Sequence, residues 1–123
     1  MEIAAKLLED SLLIIWNDRN PDRRLKAMEM VYAADIHFYE SNSGNAIVGH
    51  QAINELISKL QAEWPAEFKF QLNKQSQVNH FIQVIFWNLG PQDGPVAATG
   101  MDVAIVENEL IKSLHLFLEN QTN

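Results

Sequence analysis

Cysteine is absent from this chain of 123 residues. Disulfides and thiolate metal sites are therefore excluded, and the reducing cytoplasm is the expected compartment. Positive charge is scarce. Nine lysines and arginines face sixteen acids, a formal net charge of −7. That balance opposes binding to nucleic acid, where cationic side chains on phosphates dominate affinity. The arginines lie together at Arg19, Arg23 and Arg24, and none follows. This cluster reads as a solvated helix face. Long apolar runs are missing too. The stretch from Leu12 to Trp16 is far too short to span a bilayer, and Met1-Glu2-Ile3 lacks the basic start of a secretory signal. No membrane association is expected. There is no glycine-rich phosphate loop, no nucleophile elbow and no metal-ligand spacing among the histidines. No cofactor and no metal are implied. No repeat, linker or low-complexity segment divides the chain, so residues 1–123 read as one domain.

What is present is patterned. Hydrophobic residues make up 47% of the chain. A chain this long can bury about two-thirds of its unfolded surface without staples. Residues 2–17 predict a helix, with Ile3, Leu7, Leu8, Ile14 and Ile15 near the 3.6-residue period. Asn20-Pro21 restarts the chain as cap and first helical residue, predicting a second helix over 21–33 with Leu25, Met28 and Tyr32 inward. Residues 35–40 predict a short strand, 41–45 a turn and 46–48 a second short strand ended by Gly49. A third helix is predicted over 51–61, its stripe formed by Ile53, Leu56, Ile57 and Leu60. Pro65 prevents its continuation.

The remainder predicts strand. Phe68, Phe70 and Leu72 alternate with Lys69 and Gln71. A polar turn is expected near 75–79. Residues 81–89 are apolar on both faces, with Ile82, Val84 and Phe86 opposed by Phe81, Ile85 and Trp87. A loop follows over 90–95, then strands over 96–106 and 110–118. This order gives an α+β fold, three helices segregated onto one face of a mainly antiparallel sheet. A sheet apolar on both faces needs a second cover. Three helices cover one face, and a homodimer packed through the other is the expected lid, unless that face is only partly wet.

Taken in order, several short motifs resemble one superfamily. They are Trp16-Asn17-x-x-Asn20, Ala34-Asp35-Ile36-x-Phe38, Val48-Gly49-x-x-Ala52-Ile53 and Gly100-x-Asp102-Val103 followed by Glu107-Asn108-Glu109-Leu110-Ile111. The chain resembles the nuclear transport factor 2-like superfamily, in particular its SnoaL-like polyketide cyclases and ketosteroid isomerases. The resemblance implies a cystatin-like, cone-shaped fold with a deep pocket. It also implies that Glu40 matches the position of a catalytic base and Asp102 that of a second carboxyl group. Leu12 stands where the isomerases carry a tyrosine hydrogen-bond donor. The epoxide hydrolases of the superfamily use an Asp-Arg-Asp arrangement on the strands, which a chain without arginine after Arg24 does not offer.

Alternation places Asp102, Ala104 and Val106 on one strand face. If that face lines the cone, the Asp102 carboxyl group sits among apolar side chains, where desolvation favours its neutral form. A neutral acid can donate to a developing oxyanion, as in ketosteroid isomerase, the worked case of this principle. Otherwise Asp102 lies at the strand mouth and bonds backbone amides or water. Glu40 is a general base if it reaches the same cavity and a solvated strand end if it does not. His37 alternates away from Phe38 and Glu40, and His115 points to the dimer side or to solvent. Trp16 and Tyr32, at the ends of two helices, are the chosen aromatic ligand contacts, with Phe38, Ile57, Leu60, Phe86 and Leu116 as further lining and Asn88 as a polar contact at the rim. Trp16 alternatively only staples the first helix to the sheet. The reading is a binder of a small apolar ligand with cofactor-free proton-transfer activity of isomerase, cyclase or dehydratase type. The alternative is a non-catalytic binding or dimerisation module, because this fold hosts both.

Overall fold

A computed structural model describes residues 5–41 and 44–119. The first helix opens as an α-helix, α1 (Lys6–Asp10), and widens into a π-helical stretch over Ser11–Trp16. Leu8, Leu12 and Ile15 are buried, whereas Ile14, expected inward, is 52% exposed. Ile3 lies outside the described residues. α2 (Pro21–Val31) begins as the sequence predicts: the Asn20 side chain accepts from the Arg23 amide at 2.9 Å and Pro21 opens the helix. It ends two residues early. Tyr32 is already extended and starts β1 (Tyr32–Tyr39) with no loop between. β2 (Ile47–Val48) pairs antiparallel with β1. Gly49, at φ 93°, then turns the chain into α3 (His50–Glu63), a conformation that glycine adopts without steric cost.

The strands β3 (Phe68–Leu72), β4 (Gln77–Asn79), β5 (Ile82–Pro91), β6 (Ala98–Glu107) and β7 (Leu110–Leu118) complete the sheet. The expected turn at 75–79 is in part the strand β4, folded back on β5 through His80, which has a positive φ of 54°. Phe81 sits in that hairpin and is exposed. Gly90 and Pro91 continue β5, because β3 pairs with both of them. β6 starts at Ala98, leaving Val96 in the loop. The seven-stranded sheet runs β2-β1-β7-β6-β5-β3, with β4 paired on β5. Only β1 and β7 are parallel among these pairs. The sheet is curved and does not close, and the helices pack on its inner face, as the α+β reading requires.

The core lies between those layers. Leu8, Ile15 and Met28 from the helices meet Ile36, Ile85, Ile111 and Leu114 from the strands, with Ile53 and Ile57 from α3. One expectation fails clearly here. Arg24 is not on a solvated face; it is 1% exposed. Its Nε donates to Asn54 Oδ1 at 2.6 Å, and its Nη1 donates to the Asp18 carbonyl at 2.8 Å and to Gln61 Oε1 at 2.9 Å. Nη2 donates to Ser58 Oγ and to the Asn54 carbonyl. A buried guanidinium is tolerated only when such partners replace water, and these join α2 to α3. Arg23 instead pairs with Asp18 at the surface, and Arg19 donates to the carbonyls of Gln61 and Pro65. No helix among the described residues is long and apolar enough to cross a membrane.

Candidate functional site

The inner face of the sheet and the C-terminal ends of two helices enclose a cavity of about 260 Å³. The first helix supplies Leu12 and Trp16, and α3 supplies Leu60 and Trp64. From the sheet come Phe38 on β1, Phe70 on β3, Trp87 and Leu89 on β5, and Leu114, Leu116 and Leu118 on β7. Ala98 and Asp102 come from β6. Glu40, one residue past β1, completes the lining and is otherwise solvent-exposed, so it marks the mouth. Aromatic rings brace one another edge to face. Phe70 meets Trp87 at 5.1 Å, Trp64 at 5.6 Å and Trp16 at 6.2 Å between ring centroids. Such contacts fix the ring planes and hold the wall open.

Asp102 is the one acid set deep in this apolar wall. Cross-strand register puts it beside Ile85 of β5 and Leu116 of β7. Asp102 is half-buried and lines the cavity. Oδ1 accepts a hydrogen bond from Trp87 Nε1 at 3.1 Å. Among the described residues, Oδ2 has no donor. Burial pushes the Asp102 pKa up to about 7, against the opposing effect of the Trp87 hydrogen bond. Near neutral pH the group therefore both holds and releases a proton, the property a general acid or base needs.

Gly100 makes this arrangement sterically possible. It pairs with Trp87 across β5 and β6, and a Cβ at position 100 would lie 2.4 Å from the indole ring. The missing side chain lets the ring lie across β6 and reach Asp102, two residues farther along the same face.

The other expected site residues divide. Trp16, Phe38, Leu60 and Leu116 line the cavity together with Asp102 and Glu40. Tyr32, Ile57, Phe86 and Asn88 do not. Tyr32 lies on β1, where its hydroxyl shares a hydrogen bond with Ser11 Oγ at 2.6 Å and accepts from Trp16 Nε1 at 3.2 Å. It holds the Trp16 indole from behind. Burial pushes its pKa up to about 12, so it stays neutral. Ile57 is fully buried in the helix–sheet core. Phe86 alternates to the outer face, where Lys74 Nζ stands 4.5 Å from its ring centroid. Asn88 follows the same parity and accepts from Asn73 Nδ2 at 2.9 Å. Sequence reasoning missed Trp87 as a site residue. The signal was available in part: a glycine directly opposite a tryptophan is room for its ring, once the register is known.

His37 and His115 lie on the outer face. Tyr39 stacks on His115 at 4.8 Å and 12°, and His37 extends the stack at 6.3 Å from Tyr39. No group of three or more His, Cys, Asp and Glu side chains able to hold a metal occurs among the described residues.

No family model matches the chain, and no curated protein matches it in sequence. Solved structures do match in three dimensions. A candidate isomerase of the SnoaL-like family from Agrobacterium tumefaciens str. C58 superposes with a TM-score of 0.82 at 21% identity, covering 94% of this chain and 96% of that one. The chain has the nuclear transport factor 2-like fold. A candidate SnoaL-like polyketide cyclase from Jannaschia sp. CCS1 matches at a TM-score of 0.74 and 11% identity, over 93% of this chain and 83% of that one. A candidate ketosteroid isomerase from Kribbella flavida DSM 17836 matches at 0.67 and 13%, over 97% and 79%. At these identities the likeness is one of fold.

Proposed function

We propose that this nuclear transport factor 2-like protein binds a small hydrophobic molecule in the cavity and moves a proton on it without a cofactor, as an isomerase, cyclase or dehydratase does. One observation carries the reading: two acidic residues, Asp102 and Glu40, line a single apolar cavity. Asp102, partly protonated near neutral pH, is the group that exchanges the proton. Glu40 at the mouth is the second carboxylate, able to take a proton from the bound molecule or pass one to solvent. The structural neighbours, candidate isomerases and cyclases, support the same class of chemistry. The absence of cysteine fits a cytoplasmic setting.

We also propose a homodimer through the outer sheet face, which carries Ile82, Ile105 and Phe117 as exposed apolar residues.

The test begins with native mass spectrometry of the purified protein, to capture the molecule it carries. That molecule is then incubated with the protein in deuterated water. Deuterium entering a carbon position with the wild type, and not with Asp102→Asn, is the expected result. A captured molecule that gains no carbon-bound deuterium would establish the non-catalytic binding module instead.

A further inference from the structure

The charge and surface chemistry of the cavity narrow the class of molecule it takes. Of the described residues that line it, only Asp102 and Glu40 carry a titratable side chain, and both are acids. No lysine, arginine or histidine is among them. A carboxylate, phosphate or sulfate ligand would therefore meet like charge with no compensating cation, in a wall of low dielectric. Side-chain hydrogen-bond donors are few among the described lining residues: of three indole N–H groups, those of Trp16, Trp64 and Trp87, two already have an acceptor. The Trp87 indole N–H is engaged by Asp102 and the Trp16 indole N–H by the Tyr32 hydroxyl. A ligand rich in acceptors would find few partners. What the site lacks is a donor, or a positive charge, for Asp102 Oδ2.

The walls favour the same answer. Trp16, Trp64, Trp87, Phe38 and Phe70 line the cavity. The negative face of an aromatic ring attracts a cation, indole most strongly, and aromatic walls around an acid are how ammonium groups are recognised when desolvated. Volume sets the size. An engineered cavity of about 150 Å³ takes benzene. At about 260 Å³ this one has room for a ring bearing a branched substituent, on the order of a dozen non-hydrogen atoms.

We propose that the cavity is a site for a compact hydrophobic amine bound as its cation, with the ammonium group paired to the Asp102 carboxylate and enclosed by the tryptophan and phenylalanine rings. This deepens the proposed function and rests on the cavity being a ligand site. Glu40 at the mouth adds attraction for the incoming cation, in a chain already of net charge −7. Once bound, the cation favours the ionised form of Asp102, so that in the proposed exchange this carboxylate is the group that accepts the proton.

The experiment compares benzyltrimethylammonium with its uncharged isostere neopentylbenzene, and with phenylacetate, by calorimetry and by the shifts of the indole N–H resonances. The quaternary ammonium has no proton to give, so it reports charge alone. The expected result at pH 8 is that the cation binds at least about tenfold more tightly than the isostere, ~1.4 kcal/mol, and that phenylacetate does not bind. Asp102→Asn should remove that preference, bringing the cation and neopentylbenzene to within about twofold of each other or favouring neopentylbenzene. The affinity of the cation should also fall as pH drops below about 7, where Asp102 takes up its proton. The groups facing Asp102 are Trp87 on β5, Tyr32 on β1, which stays neutral, and Glu40 beyond β1. Persistence of that pH dependence in Glu40→Gln assigns it to Asp102. The comparison of wild-type affinities stands even if Asp102→Asn does not fold. Equal or tighter binding of neopentylbenzene would overturn the amine inference and leave an apolar ligand site. Failure of all three probes to bind would count against the site itself.

Discussion

Trp87 Nε1 donates to Asp102 Oδ1 from the neighbouring strand at 3.1 Å, with the indole lying over Gly100. The two residues are 15 positions apart, and neither has this role without the other. An aspartate in an apolar wall with no donor would hold its proton still more firmly, and a tryptophan opposite any larger residue could not lie there. The pair sets how acidic the deepest polar group of the cavity is.

The titration of Asp102 follows. A carbon-detected NMR titration should show a midpoint near 7, against an ordinary value of 3.8. The sign for stability is definite. A carboxyl group whose pKa is raised on folding binds more protons in the folded state, so its contribution is full below pH 3.8 and is lost as pH rises toward 7. Asparagine keeps an acceptor for Trp87 and carries no charge. Asp102→Asn should therefore match the wild type in unfolding free energy near pH 4 and exceed it at pH 8 by up to ~4 kcal/mol, from roughly three pKa units at about 1.4 kcal/mol each. Urea denaturation at both pH values checks this. A constant difference between the two proteins would contradict it.

Removing the donor should act in the opposite sense to a stabilised carboxylate. Trp87→Phe keeps a ring in the wall and deletes the N–H. Because that hydrogen bond lowers the Asp102 pKa, its loss should move the NMR midpoint higher. Gly100→Ala should do the same with the indole still present, because its Cβ would occupy the ring's place. The overpacking should also cost about 1–3 kcal/mol of stability. A midpoint unchanged in both variants would separate Trp87 from the control of Asp102.

These residues show where the sequence is readable and where it is not. The mixed polarity of β6 picks out Asp102, because an acid between Gly100 and Ala104 on one face marks that face. β5 carries apolar residues at both parities, so alternation cannot say which set turns inward. Phe86 and Asn88 are the wrong set, and Ile85, Trp87 and Leu89 are the buried one. Only pairing with β6 decides it, and register is a relation between strands. The same holds for Arg24. Its charge suggests solvent, while its partners Asn54, Ser58 and Gln61 lie 30 or more positions away. Helix α3 was legible because its stripe is local. The end of α2 was not, since nothing in Tyr32 forbids one more helical turn.

Arg24 should therefore behave as a structural residue independent of the cavity. Arg24→Met keeps the length of the side chain and removes every donor. Asn54 Oδ1, Gln61 Oε1 and Ser58 Oγ would then be buried with fewer partners, at a cost of ~3 kcal/mol or more. Arg24→Lys should recover little, since one ammonium cannot reach acceptors spread around the edge of a planar guanidinium, on Nε, Nη1 and Nη2. Thermal unfolding measures the loss. The Asp102 titration midpoint should not move, which distinguishes a staple between helices from a residue of the site.

The outer face of the sheet makes a separate prediction about assembly. Ile82 pairs with Ile105 across β5 and β6, and Met101 pairs with Phe117 across β6 and β7. Ile105 is 39% exposed and Phe117 53%, on the side away from the helices. Tyr39 and His115 continue the surface as a stacked pair. A second copy of the chain would cover this area, and two lysines placed in it would be stranded away from water in the assembled state. Ile105→Lys with Phe117→Lys should therefore convert a dimer into a monomer of unchanged circular dichroism. Their side chains lie on the face opposite the cavity, so binding of a cavity ligand by the folded monomer should persist. Sedimentation equilibrium reads the mass directly. A wild-type protein that sediments as a monomer at high concentration would refute the dimer, and a double variant that remains dimeric would move the interface elsewhere.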